Sequence, residues 1–201
     1  MANLLQLKNG NKSYGQKEIF NSVSFSIDDD EHVGVIGPNG AGKTTLFKSI
    51  VGKELLDSGQ FTFRQGLRIG YLEQEAEWDL EKTGEEFLLA DPKVHMKIWE
   101  LKRLGLSLGL DELRFQTSLR QLSGGYRMRF KLLGILGMEP DLMLLDEPTN
   151  FLDLESLLAL ENFLQNYKGA FLLISHDREF LRRVTDHTLE VEAGDIHKFP
   201  G

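Results

Sequence analysis

No cysteine occurs in the 201 residues, so disulfide staples and thiolate-bound metals are excluded, and a reducing, cytoplasmic setting is the expectation. Long apolar runs are missing too. Nothing approaches the roughly 18 residues that a membrane helix needs, and the amino terminus carries no secretory-signal pattern. The sequence therefore predicts no direct membrane insertion, and a membrane role would require a partner subunit. There is no surplus of positive charge either. The 23 Lys and Arg are outnumbered by 31 Asp and Glu, for a formal charge of −8 with His neutral. That balance gives no general attraction to phosphate backbones and no sign of DNA binding. What remains is ordinary globular material, 41% hydrophobic and 27% charged, in a chain long enough to bury a sizeable interior. No internal repeat or low-complexity segment interrupts it.

The most informative stretch is Gly37-Pro38-Asn39-Gly40-Ala41-Gly42-Lys43-Thr44-Thr45, which fits G-x-x-x-x-G-K-[ST]. An apolar run, His32 to Ile36, leads in as a buried strand, and Leu46 to Val51 leads out with helical character. Glycines 37, 40 and 42 let backbone N–H groups turn inward, where they can cradle phosphate oxygens. The helix that follows aims the positive end of its dipole at the same anion. Lys43 would then reach the β- and γ-phosphates of a nucleotide, and the Thr44 hydroxyl would ligate Mg²⁺.

Before this loop the chain reads as short strands, Leu4 to Leu7 and Ser24 to Ile27, with a polar turn over residues 12–17 and a solvated acidic run at residues 28–31. After it, Gln60 to Phe63 and Leu67 to Leu72 read as two more strands. From about Thr83 to Arg120 the period becomes helical: Phe87, Leu88 and Leu89 fall in one segment, and Val94, Ile98, Leu101 and Leu104 in another, with Pro92 between them. Residues 105–110 read as a break, and Asp111 as the cap or first turn of a short helix. Ser123-Gly124-Gly125 opens an amphipathic helix running to about Met138. Leu142 to Leu145 is a wholly apolar run, hence a buried parallel strand. A helix from Leu154 to Tyr167, a strand from Ala170 to Ile174, one more helix and two terminal strands complete the chain. This alternation predicts an α/β fold with a mostly parallel core sheet.

In open α/β sheets, ligands sit beyond the carboxyl ends of the strands. Here the apolar run 142–145 ends in Asp146-Glu147: Asp146 can hold the Mg²⁺ shell, and Glu147 can polarise an attacking water as general base. The strand at 170–174 ends near His176, placed to hydrogen-bond a γ-phosphate or its developing charge, with Asp177 beside it. Gln74 closes a further strand, where its amide carbonyl can ligate Mg²⁺ or orient water. Ser123 at a helix N-cap, with Gly124 and Gly125 behind it, exposes several N–H donors and forms a second anion site. One phosphate loop already holds one nucleotide, so the second site implies a second molecule and points to a dimer.

Taken together and in order, these motifs resemble the ATP-binding cassette (ABC) ATPases over nearly the whole chain. In the family's terms Tyr14 looks like the aromatic that stacks on adenine, Gly37 to Thr45 is Walker A, and Gln74 is the Q-loop. Leu122 to Gly125 match the signature, Leu142 to Glu147 Walker B, Leu152-Asp153 the D-loop and His176 the switch histidine. The resemblance implies a P-loop (RecA-like) core carrying an N-terminal antiparallel β subdomain and a small helical one. The β subdomain and the Walker A part of the core are expected within residues 1–75, the helical subdomain within 76–121, and the signature helix with the rest of the core within 122–201. It also implies ATP and Mg²⁺ as ligands, and a head-to-tail sandwich in which each ATP lies between Walker A of one cassette and the signature of another. Hydrolysis by one isolated cassette would then be slow.

Tyr126-Arg127-Met128-Arg129, residues 146–153, residues 70–75 and Ser175 to Leu181 look most like the first cassette of a soluble ABC-F protein, a tandem-cassette ATPase that acts on ribosomes. Phe151 departs from the histidine usual there, and the helical block leaves no room for a long basic arm. A transporter motor is the alternative, and a nucleotide-binding switch with little turnover is a third reading, against which Glu147 and His176 argue.

Overall fold

In the computed structural model, which describes residues 2–74, 78–150 and 152–201, two strands run through the middle of the molecule. β6 (Leu142–Asp146) and β7 (Ala170–Ile174) are buried at every position. They are apolar on both faces because both faces are covered. Leu142, Leu144, Ala170, Leu172 and Ile174 point into one core; Met143, Leu145, Phe171 and Leu173 point into the other. With β3 (His32–Ile36), β5 (Ile69–Leu72), β8 (His187–Glu192) and β9 (Asp195–Pro200) they form a six-stranded sheet in the order β5-β6-β7-β3-β8-β9. All neighbours are parallel except the closing β8–β9 hairpin.

One core is built with α1 (Lys43–Ile50) and a separate antiparallel sheet, in which β2 (Lys17–Asp28), β1 (Asn3–Tyr14) and β4 (Ser58–Phe63) lie side by side. The other is built with α5 (Gly124–Gly137), α6 (Leu154–Asn166), α7 (Arg178–Val184) and the small helices α2 (Gly84–Ala90), α3 (Ile98–Ser107) and α4 (Glu112–Gln116). The two attachments expected from the sequence thus cover opposite faces of one sheet. Glu31 fastens the end distant from the phosphate loop: Lys198 Nζ donates to its carboxylate at 2.6 Å and to the Ser26 carbonyl at 2.8 Å.

Four expectations need correcting. The first two strands run far beyond Leu4–Leu7 and Ser24–Ile27, meeting in a tight hairpin turn at Gly15-Gln16 rather than a turn spanning 12–17. Register shifts at Leu7, Gly10 and Lys12 break the two-residue period that would have betrayed them. Val94 lies before α3, which starts only at Ile98, where the Glu100 carboxylate accepts from the Lys97 N–H at 2.8 Å. The break expected at Gly105 falls after Ser107. Gly105 is a helical residue whose missing side chain admits Phe115, a ring carbon of which lies 3.0 Å from where a Cβ would stand. The strand expected from Leu67 begins at Ile69. Glu75 and Phe151, and the expected boundary between 75 and 76, lie outside the described residues.

Phe130 joins α5 to the helical attachment. It is fully buried and meets Phe115 edge-on at 5.2 Å between ring centroids. Phe130→Ala should lower the unfolding free energy by about 3–5 kcal/mol in urea titration, the range for truncating a core aromatic. A loss under about 1 kcal/mol would mean that the helical attachment is not packed as described.

Candidate nucleotide site

The sheet order sets β3, β7 and β6 side by side, so the segments that follow them meet at one edge. After β3 the chain turns through Gly37 to Gly42, where Gly37 and Gly42 take φ of 153° and 108°. Neither position admits a side chain. A Cβ on Gly37 would stand 2.1 Å from the Val191 carbonyl oxygen, and one on Gly42 2.4 Å from Ile19 Cγ2. Gly42 caps α1 without any side-chain acceptor, which leaves the first-turn N–H groups of that helix facing outward. Lys43 is buried, and its ammonium donates to the carbonyls of Gly37 at 2.8 Å and Pro38 at 3.1 Å, closing the loop on itself.

A cleft of about 540 Å³ opens over this loop. Asn39, Gly40, Gly42, Lys43, Thr44 and Thr45 line it together with Gln74, Asp146, Glu147 and His176. Tyr14, about half exposed, lines it as well. Gly37 and Pro38 face an adjoining hollow that also reaches His176, and Ala41 packs on the core below.

Asp146 and Glu147 are charged groups in a dry setting, 1% and 5% exposed. Burial raises the pKa of Asp146, against the Thr44 and Tyr71 hydroxyls and the charges of Lys43 and Lys48. Burial likewise raises Glu147, with His176 acting in the opposite direction and Asp146 adding to the rise. His176 Nε2 lies 3.1 Å from Glu147 Oε1. Glu147 holds φ of +52°, a conformation that costs a non-glycine residue energy and gathers at functional sites; its N–H is anchored to the Ile174 carbonyl at 3.0 Å. Asp146 Oδ1 and Glu147 Oε2 are buried without hydrogen-bond partners in the chain. The Asp146 carboxylate, with one oxygen unpartnered, and the Thr44 hydroxyl beside it are hard oxygen donors, the kind that suits Mg²⁺. Among the described residues there is no cluster of three His, Cys, Asp or Glu that could hold an ion.

Ser123, Gly124 and Gly125 do not line the cleft itself, although Gly124 lines a neighbouring hollow that shares Gln74 and Glu147 with it. Ser123 and Gly124 are exposed, Ser123 Oγ accepts from the Tyr126 N–H at 3.4 Å, and a Cβ on Gly124 would meet nothing within 4 Å. Gly125 is different: a Cβ there would stand 2.0 Å from Ser156 Oγ, so its lack of a side chain serves the packing of α5 on α6. Asp153 caps α6, accepting from the Ser156 N–H at 2.8 Å. Asp177 caps α7 through the Phe180 N–H at 3.0 Å and does not orient His176.

Sequence reasoning missed Lys17 and Tyr71. Lys17 pairs with Tyr14 across the β1–β2 turn, lines the cleft and donates to the Gly40 carbonyl at 3.1 Å. Recognising Gly15-Gln16 as the hairpin turn would have put it opposite Tyr14. The Tyr71 hydroxyl lies 3.5 Å from Asp146 Oδ2, a neighbourhood set by strand pairing alone.

The profile of the ABC transporter family matches residues 20–150. The chain is 38% identical over 207 residues to the energy-dependent translational throttle protein EttA of Escherichia coli (strain K12), spanning 98% of this chain and 37% of that protein. It is 36% identical over 195 residues to the ribosome protection protein VmlR of Bacillus subtilis (strain 168), spanning 96% and 35%. The chain thus spans between about a third and a half of the length of the curated relatives it matches. Among solved structures, the ATP-binding subunit of an ABC transporter superposes with a TM-score of 0.84 at 27% identity, over 98% of this chain and 90% of that one.

The Asp153 cap yields a pH test. Hydrogen bonds from Ser156 hold its carboxyl below the usual carboxylate range. A depressed folded-state pKa adds stability above the unfolded value of 3.8 that is lost as pH falls through the folded one. Asp153→Ala should therefore melt at a lower temperature than the parent at pH 7, with the gap closing as the pH is taken below 4. A gap independent of pH would contradict the cap.

Proposed function

The chain belongs to the ABC transporter family, and from that premise we propose that it binds ATP with Mg²⁺ in the cleft over Gly37–Thr45 and hydrolyses it in a site shared with a second cassette. The observation that carries this reading is the division of the site. Lys43, Thr44, Asp146, Glu147 and His176 converge on one cleft, whereas Ser123 and Gly124 form an exposed, capped helix start outside that cleft, Gly124 bordering only the neighbouring hollow that Gln74 and Glu147 also line.

Each residue has a part in this reading. Tyr14 offers its exposed ring to the base. The loop N–H groups and Lys43 hold the phosphates, Lys43 exchanging its bonds to loop carbonyls for bonds to phosphate oxygens. Thr44 and Asp146 would hold Mg²⁺, with Gln74 at the rim of its shell, and the ion would neutralise charge on the β- and γ-oxygens. Glu147, which burial has made a better proton acceptor, takes a proton from water as the water oxygen bonds to the γ-phosphorus and the β–γ bridge breaks toward ADP. His176, anchored on Glu147, faces the γ-phosphate. Ser123, Gly124, Gly125 and Asp153 serve the second cassette's nucleotide, contributed in cis by a tandem protein or in trans by another copy.

For the cellular setting we favour the ABC-F branch, with the ribosome as the larger partner. Support comes from the translational throttle and ribosome protection proteins among the relatives. No helix among the described residues is long and apolar enough to cross a membrane. A pull-down with the Glu147→Gln variant and ATP should enrich ribosomes; enrichment of membrane permeases would favour the transporter motor.

Lys43→Ala removes the ammonium facing the phosphates. Charge-assisted hydrogen bonds contribute roughly 1.5–3 kcal/mol each, so ATP affinity by calorimetry should fall at least about tenfold; unchanged affinity would refute the assignment. Gly124→Ala separates the chain's own fold from its shared role. With open space around it, the added methyl should leave ADP affinity and thermal midpoint at the parent's values while hydrolysis falls at least about tenfold, the methyl obstructing a partner's phosphate. Parent-like hydrolysis would mean that no nucleotide approaches this turn.

A further inference from the structure

Three side chains next to the capped start of α5 have no part in the chemistry above, yet they join the segments that carry its shared half. Arg129 is 4% exposed. Its Nη1 donates to the Leu108 carbonyl at 3.2 Å, its Nη2 to Ser156 Oγ at 2.8 Å, and the Glu155 carboxylate lies 3.6 Å away. Two guanidiniums lie over the Tyr126 ring, with Arg129 Cζ 4.6 Å and Arg114 Cζ 5.0 Å from its centroid. Its hydroxyl accepts from Arg114 Nη2 at 3.3 Å and donates to Glu155 Oε1 at 3.2 Å. The lattice therefore ties α5 to α4, to the turn after α3 and to the first turn of α6, which Asp153 caps.

Position gives the lattice its consequence. The Tyr126 N–H is the one that Ser123 Oγ caps, so the residue that completes the Ser123 turn is also the residue whose side chain is bolted to α6. Gly125 brings the same turn against Ser156. A buried guanidinium is costly unless its charge is met, and partly desolvated cation–π stacking adds to the hold. We propose that Tyr126, Arg129 and Glu155 are positioning residues that fix the exposed Ser123-Gly124 turn relative to the Asp153 turn, so that both present one surface to the second cassette. This rests on the shared-site reading above.

The test measures ATP turnover per chain against protein concentration, with ADP affinity by calorimetry as the readout of the chain's own cleft. In the parent, turnover per chain should rise with concentration; a rate flat with concentration on a monomeric sample would sink the shared site and this proposal with it. Tyr126→Phe keeps the ring and removes the hydroxyl bridge, and Glu155→Ala alters a side chain that is 73% exposed, so neither should prevent folding. Each should shift the half-maximal protein concentration upward at least about fivefold, the scale of coupling through packed networks, with ADP affinity as in the parent. The double variant should shift it by less than the product of the single shifts, because both act through one bridge. Variant curves that coincide with a concentration-dependent parent would overturn the positioning role and leave the shared site standing. A matching fall in ADP affinity would also overturn it, by showing a general loss of structure.

Discussion

Strands covered on both faces can carry polar chemistry only at their ends, and that constraint organises this molecule. β6 and β7 bury every side chain between two cores, so the first polar groups they present are those just past their last apolar residue. Because β3, β7 and β6 are neighbours, those groups arrive together: the glycine loop, then His176, then Asp146 and Glu147. The antiparallel sheet on one face supplies Tyr14 and Lys17 to the cleft. On the other face α5 begins at the capped Ser123 turn, which does not line the cleft.

Bringing two carboxylates to a buried strand end is expensive, and the structure shows where the expense falls. Burial pushes both toward their neutral forms, and one oxygen of each is left without a partner. Glu147 also holds a left-handed backbone. Such features weaken a fold and persist where a ligand with charge and hydrogen bonds completes them. They are the physical counterpart of the sequence pattern of an apolar run ended by two acids.

Much of the site was legible because its parts are local. A glycine loop between strand and helix, an apolar run ended by Asp-Glu and a serine before two glycines are each short and tied to one element boundary. What escaped was non-local or irregular. Lys17 enters the cleft only because a hairpin turns at Gly15-Gln16, and bulges had hidden that hairpin's period. Tyr71 meets Asp146 through the pairing of β5 with β6. The packing of Gly125 on Ser156 and the capping of α6 by Asp153 are further non-local or structural roles that the motifs do not reveal. Val94 and Gly105 misplaced the edges of a helix because apolar spacing cannot distinguish a helical turn from a loop folded onto the same core.

In the proposed arrangement this chain holds half of one site and lends half to another. Complementation addresses it directly. Glu147→Gln disables the chain's own cleft, and Ser123→Arg places a long cation on the turn lent to a partner. Each variant alone, at high protein concentration, should hydrolyse little ATP. Mixed in equal amounts, they can pair so that the intact cleft of the Ser123→Arg chain meets the intact turn of the Glu147→Gln chain. The mixture should recover a substantial part of the parent's turnover. A mixture no more active than the average of its components, or a Ser123→Arg chain as active as the parent by itself, would contradict it.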